Sequence, residues 1–403
     1  MAGAALLILG LASGATINAA PPEATAVPQK NHGPVSRPLY VTKAPIIMLK
    51  DVESGAILFS RGTDKSFPPA SMTKVMTAYV VLDLIKEGKL KASDHFEMTE
   101  AVWKIWQARS GYSSMFLKPG DSVSIENLLL GLLAVSGNDA ATLLATGIDG
   151  SEAAFTQRMN RVATEIGMTN SKFGTASGWP DGGATMVTAE DMIRLSERLI
   201  REHPEAYVRY FSQPSFQHGV SPDGTPIVQR NRNPLLGRFE GADGLKTGYT
   251  DAAGYCLLGS AKRDGRRLIM IVAGMDSAQS RRDEAERLMT WGFEAWEGRV
   301  IAQAQSPIWE MDVDQGSAPR LTATNGMAIH MTVPRGHSGA YKAWIKGSTP
   351  VQAPVRQGDP IAQFIVAPAG LPAQSTALIA AEAIEKGGAL NRARTGLYRM
   401  TGL

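Results

Sequence analysis

The chain is poor in cysteine, with only Cys256 in 403 residues. One thiol builds neither a disulfide framework nor a thiolate metal site, and in a strand-like run it reads as a small buried apolar residue. Histidine is scarce and scattered, six in all. No His-x-x-x-His pair falls on one helix face, so nothing points to a catalytic zinc. His218 and Ser221 lie close together, but no Gly-x-Ser-x-Gly elbow accompanies them. Excess charge of one sign is missing too: the net charge is +3. Without a long Lys/Arg run or interleaved aromatic and basic residues, nucleic acid is set aside as a partner. Long apolar runs are also lacking. Ala2 to Ile17 comes nearest, and it is too short to span a bilayer comfortably. No metal and no cofactor is called for.

What is present is ordinary globular material, 44% hydrophobic and 20% charged, long enough for two or three domains. The run Ala2 to Ile17 precedes small-residue cleavage sites at Ala19-Ala20 and Ala24-Thr25-Ala26. Residues 1–26 therefore read as a secretory signal peptide, though without the usual basic start, and imply export across the cytoplasmic membrane. Residues 27–40, in a Pro- and Ala-rich stretch, read as a linker.

Downstream, Ile46 to Leu49 and Ala56 to Phe59 read as a hairpin around Glu53-Ser54-Gly55. Helices are expected from Met72 to Ile85, from Ser124 to about Leu133, from Ala140 to Ala145, from Ser151 to Ile166, and from Thr188 to about Ile200. Tyr255 to Lys262 and Arg267 to Gly274 read as a second hairpin around Asp264-Gly265, and Arg281 to Trp296 as an amphipathic helix. Strands at both ends with helices between them predict one sheet built from N- and C-terminal strands, within a unit spanning 41–298. Short alternating runs from 299 to 373 predict a small all-β sandwich domain. Residues 374–403 read as an amphipathic tail, helical in two pieces around Gly387-Gly388.

One stretch carries chemistry. Pro68-Pro69 stop what precedes them, and Ser71 opens a helix that is apolar nearly all round. Lys74 stands one turn on, on the same face. An amine on a buried helix is costly when charged, so burial lowers its pKa and equips it to accept a proton from the serine. The helix dipole favours negative charge developing at Ser71. Alone, a Ser-x-x-Lys pair is no more than a helix cap and a snorkelling lysine.

Two further fragments change that weighting: Ser136-Gly137-Asn138, 65 residues after Ser71, and Lys246-Thr247-Gly248, 110 residues after Ser136. The ordered triple is shared by β-lactamases and penicillin-binding proteins. Acyl transfer needs a nucleophile, a base, a proton shuttle and oxyanion donors. Ser71, Lys74 and Ser136 suit the first three roles. Lys246 adds a second cation that helps keep Lys74 neutral. Asn138 can hold Lys74 and a substrate amide, Gly248 leaves room for substrate along the strand edge, and the backbone N–H groups of Ser71 and Tyr249 suit an oxyanion.

With these motifs the chain resembles the low-molecular-mass penicillin-binding proteins, serine-type D-alanyl-D-alanine carboxypeptidases. The resemblance extends to Gly111–Gly120, Asn231-Arg232-Asn233 and the run Asp243–Tyr255. It covers about residues 45–296, and more loosely the C-terminal part. It implies a mixed α/β (α+β) transpeptidase-like domain, with an antiparallel sheet, helices on both faces and a helical subdomain, plus the small β domain. It further implies removal of the terminal D-alanine from peptidoglycan stem peptides ending in D-Ala-D-Ala, through an acyl-enzyme on Ser71 that penicillins and other β-lactams trap. Arg281 and Thr247 become the candidates for the terminal carboxylate, although Arg281, beside the equally basic Arg282, also reads as a solvated helix-start residue. Tyr249 departs from the histidine of many relatives. The tail, with Arg392, Arg394 and Arg399 beside Leu390, Leu397 and Met400, resembles a peripheral anchor on the inner membrane of the periplasm. The competing readings are a class A-like β-lactamase, for which Gly174–Thr185 offers Asp181 but no Glu-x-x-x-Asn, an endopeptidase or transpeptidase, and a non-catalytic wall-binding protein.

Overall fold

The computed structural model describes residues 37–221 and 223–388. The signal peptide, most of the linker, and the three arginines of the tail lie outside the described residues.

The first unit opens with strands β1 (Ile46–Asp51) and β2 (Ile57–Arg61), then a single 3₁₀ turn (Ala70–Thr73) leading into α1 (Lys74–Lys86). There follow β3 (His95–Glu97), α2 (Glu100–Gln107), β4 (Ser122–Ser124), α3 (Ile125–Ala134), α4 (Asn138–Asp149), α5 (Glu152–Glu165), α6 (Ala189–Glu202) and α7 (Pro204–Phe211). The hairpin β5 (Ser215–Val220) and β6 (Pro226–Arg230) precedes β7 (Ala242–Thr250), β8 (Gly254–Arg263), β9 (Arg266–Met275) and α8 (Ala278–Glu294). The main sheet is antiparallel in the order β2-β1-β9-β8-β7, so strands from both ends of the unit do share it.

Both faces of that sheet are buried, which is why its strands read as near-continuous apolar runs rather than alternating ones. Along β9, Ile269, Ile271 and Ala273 face the helical side, while Leu268, Met270 and Val272 face α8. Side-chain period two distributes one strand between two cores. The helical side is the larger core, with α1 at its centre and buried from Lys74 through Leu82. Side-chain caps fix the helix starts: Thr99 for α2, Ser124 for α3, Ser151 for α5 and Thr188 for α6 each accept a backbone N–H.

The second unit is all-β: β10 (Trp296–Ala302), β11 (Pro307–Asp314), β12 (Arg320–Thr324), β13 (Ile329–Pro334), β14 (Tyr341–Gly347), β15 (Val351–Gln352), β16 (Pro360–Pro368) and β17 (Gln374–Ala380). A β10–β13 ladder packs on a six-stranded sheet in the order β14-β16-β17-β12-β11-β15, with Met331, Val333 and Val366 between them.

Three boundaries are corrected. Residues 374–380 are not helical but form an interior strand, paired with β16 and β12, and Ile384 bridges to Val355. Sheet pairing overrides the helix propensity of an Ala/Leu/Ile run. The β unit thus extends past 373. It begins at Trp296 rather than 299, because Trp296 pairs with Pro334 instead of ending α8. The linker ends before Tyr40, which is buried against Phe59 and Trp291 and hydrogen-bonds Glu284 at 3.0 Å.

Candidate active site

The 3₁₀ turn places Ser71 immediately before α1, with Lys74 as the first residue of the helix. Lys74 Nζ lies 3.0 Å from Ser71 Oγ, 2.7 Å from Asn138 Oδ1 and 2.7 Å from the carbonyl oxygen of Ser177. A neutral amine has two N–H donors and one lone pair. The two carbonyl oxygens can take those donors, which leaves the lone pair for the proton of the Ser71 hydroxyl, 3.0 Å away. Burial pushes the Lys74 pKa well down, and the charges of Lys246 and Arg232 push the same way against Asp139 and Glu152. Burial and the neighbouring positive charges therefore favour the free amine, and the geometry puts it within reach of Ser71.

Lys246 reaches this cluster from β7, the edge strand beside the 3₁₀ turn. It is buried, and its pKa falls to about 7, through desolvation first and then the charges of Arg232 and Arg281. Thr247 is buried beside it. Gly248 also has a packing reason. A Cβ there would lie 2.6 Å from the Pro69 carbonyl oxygen and 3.2 Å from Ala70 Cβ. The missing side chain lets β7 press against the serine turn. On another side, Gly178 (φ +72°) has no room for a Cβ because of the Ala70 carbonyl. The serine turn is thus clamped between two glycines, with Ala70 itself left-handed at φ 49°.

Ser136 is buried in the loop between α3 and α4, in the left-handed conformation at φ 64°. No hydrogen bond joins it to Lys74 or Lys246 among the described residues, so the structure brings Asn138 to the amine and leaves Ser136 beside the group. Tyr249 is half exposed, donates to Asp251 at 2.8 Å and stacks on Tyr255. Arg281, unlike Arg282, is no solvated helix-start residue. It is buried, its Nε has no hydrogen-bond partner, and its guanidinium lies over the Tyr255 ring. An unsatisfied buried cation is costly, which marks it as a group awaiting an anion.

One residue escaped the sequence reading. Asp139 is buried and accepts from Ser114 Oγ (2.7 Å) and from the backbone N–H groups of Met115 and Leu117. It holds the 111–118 loop over the site, while the Ser113 carbonyl accepts from the Asn138 N–H. Arg232 ties its N–H to Ala134 at the end of α3, and its charge acts on both lysines. The only sequence signal was its place in Asn231-Arg232-Asn233. Asp181 is engaged within its own loop by Thr185. Away from the cleft, Asp83, Glu202 and His203 converge within 4.8 Å, but His203 bonds Asp83 and Tyr79 bonds Glu202.

The profile of the D-alanyl-D-alanine carboxypeptidase family, peptidase S11, matches residues 34–277. The chain is 35% identical over 390 residues to the D-alanyl-D-alanine carboxypeptidase DacC of Escherichia coli, covering 96% of this chain and 94% of that protein. Its fold is similar to penicillin-binding protein 5 of Haemophilus influenzae, with TM-score 0.71 and 32% identity over 87% of this chain and 99% of the other. It is also similar to penicillin-binding protein D2 of Listeria monocytogenes in its cefotaxime-bound form, with TM-score 0.56 and 33% identity over 64% of this chain and 99% of that one.

Proposed function

The chain belongs to the D-alanyl-D-alanine carboxypeptidase family of serine peptidases, and from that membership and the site geometry we propose how its residues divide the work. The observation that carries the proposal is the buried amine of Lys74, held by two carbonyl oxygens 3.0 Å from Ser71 Oγ.

Ser71 Oγ attacks the carbonyl of the penultimate D-alanine while Lys74 takes its proton. The backbone N–H groups of Ser71 and Tyr249 receive the oxyanion. The C–N bond breaks, and the proton reaches the leaving D-alanine amine by way of Ser136. An ester on Ser71 remains, and water hydrolyses it with Lys74 again as base. Thr247 and Arg281 receive the terminal carboxylate, the second through a guanidinium that has no anion of its own. The free edge of β7 offers main-chain donors and acceptors for an extended peptide. β-Lactams, one of which occupies the Listeria relative, acylate the same serine.

The β-lactamase reading requires a carboxylate to activate the deacylating water. Among the described residues none hydrogen-bonds Ser71 or Lys74, and Asp181 is spent on Thr185. That supports slow release of a penicilloyl group. The peptide substrate is the peptidoglycan stem and the compartment the periplasm, a placement supported by the export-type start of the sequence. No helix among the described residues is long and apolar enough to cross a membrane. Contact of the basic tail with the inner-membrane surface is tested by sedimentation with vesicles, with and without residues 389–403.

The deciding measurement is D-alanine release from a peptide ending in D-Ala-D-Ala, set beside penicillin hydrolysis by the same preparation. Release well above hydrolysis is expected, and Ser71→Ala loses both release and covalent penicillin label. Hydrolysis exceeding release would establish the β-lactamase reading instead.

A further inference from the structure

One cationic cluster at the cleft has no part in the chemistry above. Arg109 follows α2 directly and is exposed. Its guanidinium carbon lies 4.6 Å from the Trp106 ring centroid and 5.2 Å from that of Trp179. The two indoles meet edge to face at 5.4 Å, and Tyr112 closes on Trp106 at 5.4 Å. Stacking on two rings fixes a guanidinium that would otherwise be mobile, and leaves its N–H edge free. Among the described residues no carboxylate pairs with it, whereas Arg158, Arg238, Arg266 and Arg267 each have one.

The cluster is tied to the reacting groups by three links. Trp179 follows Ser177, whose carbonyl binds Lys74, by two residues. Tyr112 adjoins Ser113, whose carbonyl holds the Asn138 N–H. Trp106 Nε1 donates to Thr142 Oγ1 at 3.1 Å, one turn along α4 from Asn138. Trp179 also walls a cavity of about 430 Å³ that reaches Pro69, Ala70 and Thr250 around the serine turn. Thr247 on β7 and Arg281 near the start of α8 serve the leaving D-alanine. Arg109 stands on the helical wall.

We propose that Arg109, held on Trp106 and Trp179, receives a carboxylate carried by the acyl segment of the substrate, upstream of the D-alanine pair. This rests on the carboxypeptidase reading. A planar guanidinium with a free edge suits bidentate contact with a carboxylate, and the exposed position makes the gain sensitive to salt.

The test uses two peptides, Nα-acetyl-L-Glu-D-Ala-D-Ala and Nα-acetyl-L-Gln-D-Ala-D-Ala, and a second pair with Glu or Gln one residue further upstream. They match in shape and differ in charge. Wild type is expected to favour the Glu form of one pair by about fivefold to tenfold in kcat/KM. That ratio should fall toward one at 0.5 M salt and in Arg109→Gln, and be partly kept in Arg109→Lys. A ratio near one in both pairs for wild type, or one unchanged in Arg109→Gln, overturns the proposal while leaving the carboxypeptidase reading intact. Failure of wild type to release D-alanine from any of the four peptides would remove both.

Discussion

At the scale of single residues, the site is a set of cations kept close together, which lowers the pKa of the lysines among them. Lys246 lowers the pKa of Lys74, as does Arg232 by a smaller contribution. Removing either charge must raise it. In Lys246→Gln the acid limb of penicillin acylation is expected to move to higher pH, and in Arg232→Gln to move the same way by less. Stopped-flow acylation between pH 5 and 9 checks this, and an unmoved limb in both variants would refute the coupling. The arrangement also costs stability. Lys246 has a folded pKa of about 7, against 10.5 for the ordinary side chain. Between those values the unfolded chain holds a proton that the folded one lacks, so stability rises with pH through that window and is lower below it. Lys246→Met is expected to stabilise the protein at pH 6 by roughly 2 kcal/mol or more, and to flatten that rise, as read by denaturant titration across pH. These lysines were legible because their types and spacing are distinctive. Asp139 was not, and Arg232 was visible only through its place in Asn231-Arg232-Asn233, since their roles depend on burial and loop course.

Among the elements, the serine turn is the one whose position everything else fixes. It is pressed by β7 through Gly248 and by the 174–185 loop through Gly178. Gly248→Ala would set a methyl 2.6 Å from the Pro69 carbonyl oxygen and force the turn and strand apart. A displacement near 1 Å costs about 100-fold in rate. The second-order rate of penicillin acylation is expected to fall by about that factor while the protein still melts cooperatively. A rate within threefold of wild type would show that the turn is not held by this contact. The long helices and central hairpins were readable in advance because their periodicity and caps agree with their packing. The short pairs β3–β4 and β5–β6 carry too few residues to show a period. Residues 374–380 misled for the opposite reason: Ala, Leu and Ile suit a helix, but Leu378 and Ala380 are buried by neighbouring strands that no local pattern reveals.

At the scale of the whole molecule, a buried carboxylate lies at the centre of the junction between the two units. Asp51, at the end of β1, accepts from Arg266 Nε at 2.7 Å and from Thr332 Oγ1 of β13 at 2.9 Å. Arg266 in turn donates to the carbonyls of Gly292 and Trp296, where α8 hands the chain to the β unit. Gln374 clasps the backbone of Thr332 from β17, at 2.7 and 2.6 Å. The sheet that carries Lys246 and the β unit therefore share a buried polar junction, with Asp51 fully enclosed. A buried pair contributes little relative to an apolar replacement but is expensive to break on one side. Asp51→Asn strands the Arg266 cation and is expected to cost about 3–5 kcal/mol, whereas Thr332→Val removes one neutral donor and costs about 1–2 kcal/mol. Because the junction couples the units, scanning calorimetry should show one transition in wild type and two in Asp51→Asn, the β unit melting apart from the catalytic one. Penicillin acylation by Thr332→Val at 25 °C should stay within twofold of wild type, since the junction touches none of the groups around Ser71. If Asp51→Asn melted in a single transition within 1 °C of wild type, the units would be held together by their other contacts, such as Arg335 on the carbonyls of Phe293 and Glu294, and the carboxylate would have no part in joining them.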